Sequence, residues 1–216
     1  VSTQSTGGIK CVVFDFDGTL VDSQRANYEL EIEILKQFDV SMTEEEYNDL
    51  GGLTYTQLCD HLVKHFNLPL SGAEYFEKRQ KLFFETCVPS FKETPGALKL
   101  LQQLAAKDIK CGIASASSMD IFDCFFKFNP EYKKYISQVV TCDELGTSKP
   151  DPTVYTECIK RLGCKAVDAV IFEDTFVGLT GAKKVCPVCC VLSSSDKEQQ
   201  KRQLADLTIK NFNDLL

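Results

Sequence analysis

The chain has 216 residues, 44% hydrophobic and 25% charged, enough for one domain with a full core or a core domain carrying a smaller insert. Its formal net charge of -7 and pI of about 5.0 exclude the basic footprint of a nucleic-acid binder. They also mean that an anionic substrate needs local positive charge or a metal to be held. No apolar run approaches the ~20 residues that cross a bilayer, and the small, polar residues 1–10 do not read as a secretory signal.

Eleven cysteines is a high count. Cys11, Cys111, Cys142, Cys189 and Cys190 sit in apolar runs, where free cysteine behaves as a small hydrophobe. Disulfide frameworks belong to small secreted chains with weak cores, so reduced thiols and a cytoplasmic setting are expected.

Taken in order, Cys11–Phe14 is a short apolar run ended by Asp15, Asp17 and Gly18, which predicts a buried strand of a parallel sheet. Helical spacing follows over residues 24–38. Thr43 with Glu46 three residues on forms a capping box for a second helix, broken at Gly51–Gly52. Thr54–Phe66 and Gly72–Cys87 read as two more helices. Strand and helix then alternate: a helix with Pro95 in its first turn, a strand over Lys110–Ser115 and a helix over Met119–Phe128. A strand over Gln138–Cys142 precedes a helix capped by Asp151–Pro152 that runs to Leu162. Strands at Ala169–Phe172 and Val188–Leu192 flank a helix over Thr175–Val185. A short strand at Leu207–Ile209 precedes a terminal helix. The alternation predicts a Rossmann-like α/β core, a parallel sheet with helices on both faces. The helical block interrupts it, so residues 1–22 and 91–216 are assigned to the core and 23–90 to an inserted helical cap.

Two carboxylates at the end of a strand are costly to bury unpaired, and in open α/β sheets ligands bind at the carboxyl ends of strands. Four groups fall there: Asp15 and Asp17, Ser115, Lys149 and Glu173–Asp174. Their chemistry suits phosphoryl transfer. A carboxylate nucleophile forms an acyl phosphate, and a second carboxyl protonates the leaving oxygen and then deprotonates water. A hydroxyl and an ammonium hold phosphoryl oxygens. Further carboxylates suit Mg2+, a hard cation that takes oxygen ligands.

Asp15-Phe16-Asp17-Gly18-Thr19, Ser115 in the run IASAS, Ser148-Lys149-Pro150, and Glu173-Asp174 with Gly178 four residues on occur in this order over nearly the whole chain. Together they resemble the four motifs of the haloacid dehalogenase superfamily, in the phosphatase and phosphomutase branch with a helical cap after the first strand. The resemblance implies Asp15 as nucleophile and metal ligand, and Asp17 as general acid/base that also offers the metal its backbone carbonyl. It implies Ser115 and the Ala116 amide as phosphate binders and Lys149 as the bridge between phosphate and nucleophile. Asp174 would bind Mg2+, with Glu173 as a ligand or its support. The implied activity is a Mg2+-dependent phosphatase acting on a small phosphorylated metabolite, a sugar or polyol phosphate, through an aspartyl phosphate. No nucleic-acid or membrane partner is implied, and the expected state is a monomer or weak dimer.

The runner-up is a sugar-phosphate mutase resembling β-phosphoglucomutase, whose second and fourth motifs this chain shares. Such mutases carry Val after the first motif's glycine, a His in the first cap segment and an Arg in the cap loop. Those places hold Thr19, Asn27 and Tyr55 here. Dehalogenase chemistry needs no acid/base at Asp17, and Gln24–Glu31 lacks the cap lysine of phosphonate hydrolysis. Polar and cationic residues of the cap, Arg25, Asn27, Tyr55, Lys78 and Arg79, are the candidates for substrate selection. His61 and His65 lie one turn apart but read as an exposed helix face, and the CPVCC run at 186–190 reads as a core strand rather than a zinc site.

Overall fold

A computed structural model of the chain describes residues 8–50, 53, 55–191 and 198–216. Of residues 189, 190 and 198 it describes the backbone alone. The predicted break at Gly51–Gly52 lies outside the described residues, as do Thr54 and Leu192.

The elements in order are β1 (Cys11–Phe14), β2 (Val21–Asp22), α1 (Ser23–Lys36), α2 (Glu44–Asp49), α3 (Tyr55–His65) and α4 (Gly72–Leu82). A π-helical turn over Phe83–Cys87 and a 3-10 turn over Val88–Ser90 extend α4. Then come β3 (Lys92–Glu93), α5 (Ala97–Ala105), β4 (Lys110–Ser115), α6 (Met119–Phe128), α7 (Pro130–Lys133), β5 (Ile136–Thr141) and α8 (Cys142–Leu145). The chain closes with α9 (Thr153–Arg161), β6 (Ala169–Glu173), α10 (Phe176–Ala182), β7 (Val188–Val191), α11 (Glu198–Leu204), β8 (Leu207–Ile209) and a 3-10 turn over Phe212–Leu215. No helix among the described residues is long and apolar enough to cross a membrane.

Two compact units result, Val1–Asp22 with Lys92–Leu216, and Ser23–Phe91. In the first, six parallel strands form one sheet in the order β5-β4-β1-β6-β7-β8. β1 is central, so both its faces are covered and all four residues are apolar and buried. Cys11 and Val13 face a cluster with Val154, Tyr155, Cys158 and Ile159 of α9 and Leu179 and Ala182 of α10. Phe14 stacks on Phe172 with ring centroids 5.1 Å apart, and the Phe212 ring meets both edge-on at 5.9 and 5.4 Å. Burying a ring of this size contributes about 1.5–3 kcal/mol, which anchors the strand that carries Asp15. β2 and β3 form a two-stranded antiparallel ribbon, too short to show in the sequence pattern.

Several boundaries differ from the sequence reading. The helix expected to carry Pro95 in its first turn begins at Ala97, because Gly96 adopts a left-handed φ of 87° and the Pro95 carbonyl accepts the Phe212 N–H at 3.0 Å instead. Cys142, expected to end a strand, opens α8, since the Thr141 hydroxyl accepts the Glu144 N–H at 3.2 Å and caps a helix there. α11 has no counterpart in the prediction; its sequence EQQKRQL lacks an apolar period.

The second unit is helical throughout its described elements. The Thr43–Glu46 capping box is present, and Ser71 with Glu74 forms another at α4. Inside it lies a buried polar network. Arg79 donates from Nε to Glu31 at 2.6 Å and from Nη2 to Asn27 Oδ1 at 2.7 Å, and the Tyr75 hydroxyl donates to the other Glu31 oxygen at 2.8 Å. The Arg79 guanidinium also lies 4.0 Å from the centroid of the Tyr55 ring.

Candidate active site

The groups singled out in the core converge at the carboxyl ends of three adjacent strands. Asp15 follows β1 directly, Ser115 ends β4 and Glu173 ends β6. The β1–β6 ladder carries on one step past the strand, with the Asp15 N–H donating to the Phe172 carbonyl at 2.8 Å. The chain then has to turn at once. The Phe16 carbonyl accepts from the amides of Thr19, Leu20 and Val21, and Gly18 adopts a left-handed φ of 78°. A Cβ at Gly18 would also run into the Asp174 carboxylate, so this turn tolerates no side chain.

Lys149 joins the two ends of the site. Its ammonium donates to Asp15 Oδ1 and to Glu173 Oε1, both at 2.5 Å, with its side chain only 9% exposed. Burial pulls the Lys149 ammonium down, but the carboxylates of Asp15 and Glu173 override this and hold it protonated, above its ordinary range. Asp15 moves the other way from a simple ion-paired carboxylate. Burial, then the charge of Glu173, lift it well above the ordinary value against the pull of Lys149, with Asp174 and Asp17 adding to the rise. Burial and Glu173 likewise raise Asp174 to about 7, opposed by Lys201, Lys149 and a hydrogen bond from Thr19. Too much negative charge is thus gathered for its lysines to balance.

Glu173 is fully buried and fully engaged. Its Oε1 accepts from Lys149 and from the Tyr155 hydroxyl at 2.7 Å; its Oε2 accepts from the amides of Asp174 and Thr175, each at 3.2 Å, and from the Thr175 hydroxyl at 3.1 Å. The Thr175 hydroxyl in turn accepts the Gly178 N–H at 3.0 Å and caps α10. A Cβ at Gly178 would occupy the Glu173 carboxyl group, which accounts for glycine in the fourth motif.

Asp15, Glu173 and Asp174 each bring a carboxylate oxygen into a cluster with no pair more than 4.8 Å apart. Hard oxygen donors in an anionic, buried setting fit a divalent cation such as Mg2+. Because five donors already occupy Glu173, Asp15 and Asp174 are the carboxylates with capacity left for a metal. Asp17 stands apart from this cluster: its Oδ2 accepts the Ser117 hydroxyl at 2.5 Å. Ser115 is buried, and its Oγ accepts the Ser117 N–H at 2.9 Å. Ala116 is exposed beside it.

Sequence reasoning missed four participants. Thr19 donates to Asp174 Oδ1 at 3.3 Å, and Ser117 holds Asp17. Tyr155 reaches Glu173 from α9, and Lys201 of α11 is buried with its charge acting on Asp174. Nothing local distinguishes Tyr155 or Lys201.

The candidates in the helical unit are distributed unevenly. Arg79 and Asn27 are buried and bonded to each other. Arg25 is exposed and ion-paired with Glu29 at 2.8 Å and Glu44 at 2.6 Å. Lys78 lies 6.0 Å from the Phe38 centroid, and Tyr55 is half exposed under Arg79.

The family model for haloacid dehalogenase-like hydrolases matches residues 12–192. The chain belongs to this family. It is 24% identical over 205 residues to a bifunctional riboflavin kinase/FMN phosphatase of Arabidopsis thaliana, covering 95% of this chain and 54% of that protein. The chain thus spans about half the length of that relative. It is 26% identical over 181 residues to a phosphorylated carbohydrates phosphatase of Thermotoga maritima, covering 81% of each. Among solved structures, a family hydrolase from Deinococcus radiodurans, with bound phosphate and sodium, superposes with a TM-score of 0.78 at 18% identity, covering 96% of this chain and 93% of that one.

Proposed function

We propose that the chain is a Mg2+-dependent phosphatase that hydrolyses a small phosphorylated metabolite, a sugar or polyol phosphate, through an aspartyl phosphate. The observation that carries this reading is the Lys149 ammonium held between Asp15 and Glu173, beside Asp174, at the ends of parallel strands. The names of the Arabidopsis and Thermotoga relatives support the reaction class.

In this reading an Asp15 oxygen attacks phosphorus, and the bond to the leaving oxygen breaks as Asp17 gives that oxygen a proton. Asp17 then takes a proton from water, which attacks the aspartyl phosphate and frees Asp15. Lys149 keeps Asp15 aimed and shares its charge with the phosphoryl oxygens, which the Ser115 hydroxyl and Ala116 amide also bind. Glu173 orients Lys149. Asp15 and Asp174 would hold the Mg2+, which supplies positive charge against an anionic site and an anionic substrate. The helical unit serves as a cap that selects the substrate and keeps out water. There Arg25 and Tyr55 are exposed and Lys78 is half-buried, whereas Arg79 and Asn27 act from within the unit.

The experiment is a panel of phosphorylated metabolites with Mg2+, scored for free phosphate and for isomerised product. Release of phosphate that stops on chelation supports the reading. Isomerisation of a β-sugar phosphate in the presence of its bisphosphate replaces it with the mutase.

A further inference from the structure

Tyr155 has no part in the reaction steps above, yet it reaches the site from the first turn of α9, a helix that otherwise serves the core. It is fully buried, in the cluster with Val154, Cys158 and Ile159. Its hydroxyl donates to Glu173 Oε1 at 2.7 Å, and the Gly178 carbonyl lies 3.2 Å away. Its ring flanks the Lys149 ammonium, which stands 5.2 Å from the ring centroid. Gly181 of α10 makes room for this approach. A Cβ there would come within 3.3 Å of the Tyr155 ring and 3.0 Å of the carbonyl of Pro150, the residue after Lys149. A phenylalanine would fill the same space. The hydroxyl is costly to bury without a partner, and the partner it finds is the carboxylate that holds Lys149.

The two oxygens of Glu173 are held differently. Oε2 is clamped by its neighbours in the chain, the Asp174 and Thr175 amides and the Thr175 hydroxyl. Oε1 accepts from two side chains brought from elsewhere, Lys149 at 2.5 Å and Tyr155 at 2.7 Å. A carboxylate oxygen offers two lone-pair directions. With Tyr155 on one, Lys149 is confined to the other, and from there its ammonium also reaches Asp15 Oδ1 at 2.5 Å.

We propose that Tyr155 is a positioning residue. By occupying one acceptor direction of Glu173 Oε1 and flanking the ammonium with its ring, it keeps Lys149 aimed at Asp15. Its consequence for rate rests on the phosphatase reading; its geometry does not. Tyr155 acts through Glu173 and Lys149 rather than on the reacting atoms. Without the hydroxyl, Lys149 keeps its charge and both carboxylates but gains a second direction of approach to Oε1. The loss then falls on the transition state, which depends on aim, and not on substrate binding.

The test is Tyr155→Phe, which keeps the ring and removes the hydroxyl, assayed on p-nitrophenyl phosphate with Mg2+ well below its melting temperature. The expected result is a roughly tenfold fall in kcat, the effect of one hydrogen bond to a charged group, with KM within about twofold of the parent. In a Glu173→Gln background the same substitution should have almost no further effect, because its route to Lys149 is already lost. An unchanged kcat overturns the proposal, as does a rise in KM alone. A loss repeated in full in the Glu173→Gln background, or one that only follows the unfolded fraction, overturns it equally. If the parent hydrolyses no phosphomonoester, the phosphatase reading fails, and crystal structures of the parent and Tyr155→Phe decide the positioning separately. A Lys149 ammonium drawn off Asp15 in the variant supports it, and an unmoved one overturns it.

Discussion

The Ser117 hydroxyl donates to Asp17 Oδ2 over 2.5 Å. Ser117 comes from the turn after β4 and Asp17 from the turn after β1, so the contact joins two neighbouring strand ends. It sets the direction in which the Asp17 carboxyl, the proposed acid/base, points. Ser117→Ala removes a hydrogen bond to a charged group, worth about 1.5–3 kcal/mol. The expected effect is a roughly 10- to 100-fold fall in kcat. An unchanged kcat on a general phosphomonoester substrate would mean that Ser117 does not act through Asp17.

The two ends of the Lys149–Asp15 contact should respond with opposite signs. Asp15→Asn removes a buried charge that three acidic neighbours disfavour. It should abolish turnover, by about 10³-fold or more, while the metal-free protein melts at a higher temperature than the parent. Lys149→Met leaves Asp15 and Glu173 buried without their cation and should cost about 3–5 kcal/mol. Thermal melts of both variants against the parent check this, and residual activity in Asp15→Asn would remove it from the role of nucleophile.

Asp174 is lifted to about 7 from an ordinary 3.8. A carboxyl raised on folding binds its proton more tightly in the native state. Its stabilising contribution is therefore full below about pH 4 and is lost as pH climbs through about 7, by at most about 1.4 kcal/mol per pH unit. Metal-free protein should lose stability over that window, Asp174→Asn should flatten the loss, and Mg2+ should bind more weakly as pH falls through 7. Chemical denaturation across pH, with and without Mg2+, reads all three.

Gly178→Ala places a methyl group on the Glu173 carboxyl. The expected cost is about 1–3 kcal/mol from overpacking, together with loss of activity because Glu173 can no longer hold Lys149. A variant that melts and turns over like the parent would show that α10 yields without disturbing the site.

In the helical unit, Arg79→Ala leaves the fully buried Glu31 without its cation, with the Tyr75 hydroxyl still donating to it. About 3–5 kcal/mol of destabilisation is expected, and Glu31→Gln with Arg79→Met in the same chain should recover part of it. Denaturant melts of the single and double variants measure the coupling.

Much of the fold was legible because its signals are local. β1, β4 and β6 are apolar runs ended by polar residues, the Thr43–Glu46 box names its own helix, and alternation of strand and helix implies parallel pairing. The candidate residues Asp15, Ser115 and Glu173 were legible because each stands at a strand end, whereas Lys149 comes from the loop between α8 and α9. What stayed hidden depends on contacts between residues far apart in sequence. Tyr155 reaches Glu173 only because α9 packs on the sheet, and Arg79 finds Glu31 only once α4 lies beside α1. α11 and the short β2–β3 ribbon carry too weak a periodicity to show in advance.

The sequence by itself determined which residues are candidates for the proposed reaction and their order along the chain, since composition and spacing decide strand ends and turns. Only the tertiary structure decided the state of each group. Glu173 became the holder of Lys149 rather than an open ligand, and Arg79 became an interior ion pair. The reason is that burial and neighbouring charge, which set a side chain's protonation and its partners, are properties of the packed chain and not of any stretch of it.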